Sequence, residues 1–195
     1  MPFLSSRAQS IKPSATFAIA KKAKERKNEG LEVFDLSVGE PDFPMPSYIH
    51  QGIHKALHDE KTKYTNIDGI LELKKQICQK FEKENNLYFS PENIIVSTGG
   101  KQVLFNAFLA TLDQEDEVIL PEPYWVSYPE MIRFAQGTVV HCASGPEFKI
   151  TPEKLEKSIT PKTKWLILNS PSNPTGAVYN KDDLEKISKI LLQNP

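Results

Sequence analysis

The second half of the sequence alternates short apolar runs with longer stretches of helical spacing. Four such pairs follow Pro91: Ile94–Val96 with 101–111, Glu117–Leu120 with 126–135, Thr138–His141 with 152–158, and Trp165–Leu168 with 181–192. Continuous apolar strands that alternate with helices are typical of a parallel sheet covered on both faces. The sequence therefore predicts an α/β domain with a mainly parallel, buried sheet.

The first ninety residues have a different pattern, which is mostly helical. Helices are predicted over 14–28, over 47–59 and from Ile70 onward, where apolar residues recur at three- and four-residue spacing. One short strand is predicted at 33–37, before a loop at 38–44 that is rich in glycine and proline.

Three loops follow predicted strands of the second half, at 97–101, 121–125 and 169–176. Ligands of parallel α/β sheets bind at the carboxyl ends of the strands. We therefore expect these three loops to lie at one edge of the sheet and to contribute to one binding site.

The loop 97–101 has the sequence Ser-Thr-Gly-Gly-Lys and joins a predicted strand to a predicted helix. The first N–H groups of a helix attract anions, and glycines let a phosphate approach the backbone closely. A Walker A loop would need glycine in place of Ile95 and Ser or Thr in place of Gln102, and the glycine spacing of dinucleotide-binding loops is absent. The loop is either a site for a phosphate other than that of ATP or NAD, or a tight turn of small residues.

The other two loops each contain one side chain that could contact a ligand. Trp125 could stack on a flat ring or could simply be a core residue. Asn173 could offer its amide to a ligand or could form a generic Asx turn. Together with the phosphate loop, they describe a site for a small, planar, phosphorylated molecule.

Charge and cysteine content argue against several other classes of protein. The 24 basic and 25 acidic residues nearly balance, so neither nucleic acid nor a membrane surface is expected as the main partner. No apolar run approaches the roughly 18 residues of a membrane span, and the N-terminus lacks a hydrophobic signal core. Cys78 and Cys142 are predicted to be reduced thiols, so a cytoplasmic location is expected.

Three histidines, His50, His54 and His58, recur at four-residue spacing and could line one face of a helix as metal ligands. No HExxH motif or acidic partner pattern accompanies them. A solvated helix face is therefore favoured, and no metal site is predicted.

Six short motifs occur in this order along the chain: Lys12-Pro13-Ser14-Ala15-Thr16, Gly39-Glu40-Pro41-Asp42-Phe43, Lys63-Tyr64-Thr65, Gly99-Gly100-Lys101-Gln102, Pro123-Tyr124-Trp125-Val126-Ser127-Tyr128-Pro129-Glu130 and Asn173-Pro174-Thr175-Gly176. Together they resemble the N-terminal half of the class I, fold-type I, pyridoxal-phosphate-dependent aminotransferases. The resemblance is to the bacterial aspartate aminotransferase subgroup, which includes the aspartate/prephenate aminotransferases.

The resemblance implies a fold and a division into domains. The fold would be the three-layer α/β large domain of fold-type I pyridoxal-phosphate transferases, truncated, with the N-terminal part of the small domain. Residues 1–45 would form an N-terminal arm and the first part of the small domain. Residues 46–195 would form the first part of the large, cofactor-binding domain.

The resemblance also implies how pyridoxal 5′-phosphate would be held. The backbone N–H groups of Gly99, Gly100 and Lys101 would bind the cofactor phosphate. Tyr64 would reach across the interface of a homodimer to the phosphate in the neighbouring subunit. Trp125 would stack on the pyridine ring.

On the substrate side, the resemblance implies that Asn173 hydrogen-bonds the 3′-oxygen of the ring and contacts the substrate carboxylate, through a peptide bond to Pro174 that is cis. Gly39 would contact the substrate through its backbone, and Trp125 would also line the substrate. Thr16 and the Lys101 side chain would read the distal carboxylate of an acidic substrate.

The implied function is transfer of an amino group between L-aspartate and 2-oxoglutarate by the complete protein. The Schiff-base lysine, the acid at the ring nitrogen and the carboxylate-binding arginine are expected beyond residue 195, so no catalytic residue is assigned and the 195-residue chain alone is expected to be inactive. Two alternatives stay open. One is another substrate, such as prephenate, an aromatic amino acid or alanine; the other is a non-catalytic half-domain that binds a phospholigand or dimerises.

Overall fold

The computed structural model describes residues 3–13 and 15–195, which form two compact units. The first unit combines the N-terminal residues up to Ala18 with Leu104–Pro195, and the second is Ile19–Val103. The domain boundary expected between residues 45 and 46 concerns the large and small domains of the family, and it stays a prediction.

Eight α-helices are formed by the described residues, and most lie where the sequence predicts them. They are α1 Ser6–Ser10, α2 Ala15–Asn28, α3 Ser47–His58, α4 Leu71–Asn85, α5 Gly100–Thr111, α6 Ser127–Phe134, α7 Pro152–Ser158 and α8 Lys181–Gln193. Residue 14, the predicted start of the helix that corresponds to α2, lies outside the described residues. None of the described helices combines the length and the apolar character that a membrane crossing requires.

The first unit contains a three-stranded sheet in which all the strands are parallel. Its strands are β1 Glu117–Glu122, β2 Thr138–Ala143 and β3 Thr163–Leu166, in the order β2-β1-β3. The parallel α/β architecture predicted from the sequence is therefore confirmed, although β3 begins and ends two residues before the predicted 165–168.

The central strand β1 explains why the fold has three layers. Val118 and Leu120 belong to one buried cluster, whereas Ile119 between them belongs to another, because successive side chains of a strand point to opposite faces. The first cluster includes Phe108 of α5 and Ile132 of α6. The second cluster is built with residues of α7 and α8 and contains Cys142, Leu155, Tyr179 and Ile187.

Two strand predictions in the second unit are wrong, because neither 33–37 nor 94–96 forms a strand. Phe34, Leu36 and Ile95 expose 85%, 96% and 74% of their surface, so these apolar runs are not buried in a sheet. A strand needs a hydrogen-bonding neighbour as well as apolar side chains. The N–H of Val96 instead donates to the carbonyl of Asp68, in the turn before α4.

Candidate functional site

Two of the three predicted loops meet at the carboxyl edge of the sheet in the first unit. A cavity of about 20 Å³ is lined there by the end of β1, by the two residues that follow β3 and by residues of the loops 121–125 and 169–176. Tyr124 comes from the first of these loops, and Asn169 and Asn173 come from the second. This edge is where a parallel α/β sheet binds its ligands.

The loop 169–176 is held in shape by its own hydrogen bonds. The Asn173 N–H donates to Asn169 Oδ1 at 2.8 Å, and the Gly176 N–H donates to the Ser172 carbonyl at 2.7 Å. Asn173 is exposed, and its peptide bond to Pro174 is cis, as the resemblance implies. The side-chain acceptor that the Asn173 N–H uses is therefore Asn169, and the Asn173 side chain lies at the surface.

Trp125 is half-buried and lies just before α6. Its indole packs edge-to-face on Tyr128, with ring centroids 5.2 Å apart and an angle of 90° between the planes, and it contacts the first core cluster. The structure thus shows the packing role that the sequence left open as an alternative. Stacking of Trp125 on a cofactor ring stays a prediction.

A cluster at the ends of β1 and β2 was not found by sequence reasoning. His141 Nδ1 lies 3.0 Å from Glu122 Oε1 and 3.4 Å from the Tyr124 hydroxyl. Burial, followed by the nearby Glu122 carboxylate, raises the pKa of Tyr124 above its ordinary value. Only the register of β1 and β2, in which Leu120 pairs with His141, brings these residues together.

The loop 97–101 belongs to the second unit and leads into α5. Gly99 has φ +82°, which favours glycine, and it has no side chain to cap the helix that begins at Gly100. By contrast, Asn180 accepts the N–H of Asp183 at the start of α8.

A phosphate fits this helix start. A Cβ added at Gly99 or at Gly100 would meet no atom within 4 Å, so a ligand can approach the backbone closely. Thr98 N–H donates to Gln102 Oε1 at 2.7 Å, which ties the loop to the first turn of α5, and Gly99 N–H donates to the Ser97 carbonyl at 2.9 Å. Lys101 is exposed in the first turn. The helix dipole favours an anion at this position.

The residues predicted for the site divide between the two units. Thr16, half-buried in α2, Trp125 and Asn173 belong to the first unit. The second unit contains Gly39, the fully exposed Tyr64, Gly99, Gly100 and Lys101. Their assembly into one site therefore stays a prediction.

The histidines His50, His54 and His58 are exposed on α3. In residues 3–13 and 15–195, no group of three or more His, Cys, Asp or Glu side chains is placed to hold a metal ion. Cys78 and Cys142 are both free thiols, and Cys142 is buried in the second core cluster.

The fold is that of a parallel α/β protein, and comparison with known proteins gives the family. The family profile described as "Aminotransferase class I and II" matches residues 32–194. The chain belongs to this family of aminotransferases.

Relatives of known sequence match the chain along its whole length. It is 54% identical over 193 residues to a probable aspartate/prephenate aminotransferase of Rickettsia conorii, a match that covers 98% of this chain and 48% of the relative. It is 51% identical over 197 residues to the aspartate/prephenate aminotransferase of Cereibacter sphaeroides, which covers 100% of this chain and 49% of the relative. The chain therefore spans about half the length of the curated relatives it matches.

Solved structures agree with this match. The chain superposes on an aspartate aminotransferase from Thermus thermophilus with maleate with a TM-score of 0.94 and 48% identity, covering 99% of this chain and 51% of that structure. The aspartate aminotransferase from Rhizobium meliloti gives a TM-score of 0.94 and 45% identity, covering 98% of this chain and 48% of that structure.

Proposed function

We propose that the complete protein transfers an amino group between L-aspartate and 2-oxoglutarate with pyridoxal 5′-phosphate as its cofactor. The observation that carries this proposal is the glycine-lined start of α5, where a ligand can approach the backbone of Gly99 and Gly100 closely. The names of the relatives, aspartate/prephenate aminotransferases, support the activity and the substrate class.

In this proposal, the phosphate of the cofactor is bound by the backbone of Gly99, Gly100 and Lys101. A homodimer supplies Tyr64 of one subunit to the phosphate in the other. The full exposure of Tyr64, at 108% of its reference surface, is consistent with a side chain that contacts another subunit.

Other residues are proposed to bind the cofactor ring and the substrate. Trp125 stacks on the ring, and the exposed amide of Asn173 binds the 3′-oxygen and the substrate carboxylate. Thr16 and the Lys101 side chain bind the distal carboxylate of aspartate, and Gly39 contacts the substrate through its backbone. Lysine suits a distal carboxylate as a mobile point charge.

When bound, the cofactor supplies the electron sink that allows the substrate to lose its Cα proton. The residues of this chain hold and orient the cofactor and the substrate. We place the lysine that would bond to the cofactor beyond residue 195, so the 195-residue chain by itself is proposed to be inactive.

A second substrate, prephenate, is favoured by one observation. The curated relatives are named for both aspartate and prephenate. The non-catalytic alternative, a half-domain that binds a phospholigand or dimerises, predicts that the complete protein binds pyridoxal phosphate without any transamination.

The substrate assignment is tested by Lys101→Ala in the complete protein. The substitution leaves the Lys101 backbone in place but removes the charge, and loss of a hydrogen bond to a charged group costs about 1.5–3 kcal/mol. We expect kcat/KM for aspartate to fall about 10- to 150-fold, with a much smaller change for phenylalanine, which has no distal carboxylate.

The matched control is Lys83→Ala, which removes an exposed lysine from the last turn of α4. It should leave both rates unchanged. Equal losses with aspartate and phenylalanine in Lys101→Ala would contradict the distal-carboxylate role.

A further inference from the structure

The backbone N–H of Asn173 is held by the side chain of Asn169. Its N–H donates to Asn169 Oδ1 at 2.8 Å, which is a normal hydrogen-bond length. Asn169 is half-buried, and both residues line the cavity at the carboxyl edge of the sheet. Asn169 therefore connects the end of the sheet with the exposed tip of its loop.

The start of this loop is anchored in the sheet. Although β3 ends at Leu166, the N–H of Ile167 still donates to the Ile119 carbonyl at 3.0 Å, so the chain leaves the sheet only two residues before Asn169. Ile119 is fully buried. The backbone just before Asn169 is therefore held in place by the sheet.

The loop is anchored a second time next to Asn169. Ser170 Oγ accepts the N–H of Tyr179 at 3.1 Å. Tyr179 is itself buried, and its hydroxyl accepts the N–H of Ile150 at 2.8 Å. The position of Asn169 is therefore fixed by the sheet on one side and by the second core cluster on the other.

Other hydrogen bonds of the loop close its far side. Ser172 N–H donates to the Ala177 carbonyl at 2.9 Å, and Gly176 N–H donates to the Ser172 carbonyl at 2.7 Å. Ala177 N–H donates to Thr175 Oγ1 at 3.1 Å. In the part of the chain that the structure describes, the side chain of Asn169 is thus the acceptor that contacts the Asn173 backbone itself.

We infer that Asn169 is a positioning residue that sets the direction in which Asn173 presents its amide. It acts by accepting the Asn173 N–H from a fixed point just beyond the end of β3, and it does not itself contact the cofactor or the substrate. The role of Asn173 in binding the cofactor and the substrate belongs to the proposed function, and the inference rests on that function. The hydrogen bond between Asn169 and Asn173 does not depend on it.

The hydrogen bond between Asn169 and Asn173 is tested by measuring the hydrogen-exchange rate of the Asn173 backbone amide by NMR in the 195-residue chain. Asn169→Ala removes the acceptor and should speed exchange of this amide about fivefold, the factor that corresponds to one typical hydrogen bond. Asn169→Asp keeps an acceptor oxygen and should exchange at a rate close to that of the original protein.

The control is Asn180→Ala, which removes the side-chain acceptor at the start of α8 in the same unit. It weakens the unit without touching the Asn169 contact, so exchange at Asn173 should stay slow. If the amide of Asn173 exchanges at the same rate in Asn169→Ala as in the original chain, the inference is overturned.

The functional part is tested by a double-mutant cycle on the affinity of the complete protein for pyridoxal phosphate. Asn169→Ala should weaken binding about three- to tenfold alone but have no effect in the presence of Asn173→Ala. An undiminished effect of Asn169→Ala in the Asn173→Ala background would show that Asn169 does not act through Asn173. If the unsubstituted protein binds no pyridoxal phosphate, the proposed function fails, whereas the exchange experiment still decides the contact.

Discussion

Tyr179→Phe is predicted to destabilise the first unit through the loss of a single hydroxyl group. The Tyr179 hydroxyl accepts the N–H of Ile150 at 2.8 Å, and the two residues are only 7% and 4% exposed. Phenylalanine keeps the ring in the second core cluster but leaves a buried backbone N–H without an acceptor.

The magnitude follows from the cost of that unpaired group. A buried donor without a partner costs about 1–3 kcal/mol of the free energy of unfolding. With a urea m-value of about 2 kcal/mol/M, the midpoint of unfolding should fall by about 0.5–1.5 M.

Tryptophan fluorescence is a suitable measurement because it reports on this unit alone. The chain has two tryptophans, Trp125 and Trp165, and both lie in the first unit. The matched control is Tyr124→Phe in the same unit, where the hydroxyl makes a long, exposed contact of 3.4 Å with His141 Nδ1, and it should change the stability by less than about 0.5 kcal/mol. A midpoint for Tyr179→Phe equal to that of Tyr124→Phe would refute the reasoning.

Two further predictions concern backbone conformation and pH. Gly69→Ala should destabilise the second unit by about 2–4 kcal/mol, because Gly69 has φ +107° and a Cβ would lie 2.8 Å from Val96 Cγ2. Circular dichroism during urea unfolding measures this loss, which should be absent for Gly52→Ala, where a Cβ meets no atom within 4 Å; equal stability of the two variants would contradict the prediction. The hydrogen bond from Lys149, followed by that from the Asn180 N–H, lowers the pKa of Asp183. A carboxyl whose pKa is lower in the folded than in the unfolded chain stabilises the fold above its unfolded pKa of about 3.9, and this stabilisation is lost as the pH falls through the lowered folded value. Asp183→Asn should therefore make the urea midpoint less dependent on pH below about pH 4, and an unchanged dependence would contradict this assignment.

The parallel sheet could be predicted because its strands are apolar runs that lie between helices. The run at 118–120 is buried on both faces, and the runs that became β2 and β3 pair with it. The same rule failed at 94–96 and 33–37, because an apolar run contains no information about whether a neighbouring strand is available to it. Without a neighbouring strand, Phe34, Leu36 and Ile95 of these two segments are exposed.

The candidate site was predictable to a similar extent. The loops 121–125 and 169–176 could be placed at one edge of the sheet because both follow parallel strands. The contact of Asn169 with Asn173 and the cluster of Tyr124 with His141 could not be predicted. Those contacts depend on the course of a loop and on the register between two strands.

The proposed function is tested most directly by oxaloacetate formation from L-aspartate and 2-oxoglutarate, measured on the complete protein with and without added pyridoxal phosphate. We predict that oxaloacetate forms, that its rate depends on the cofactor, and that the 195-residue chain alone forms none. A complete protein that binds pyridoxal phosphate but forms no oxaloacetate would contradict the proposed activity.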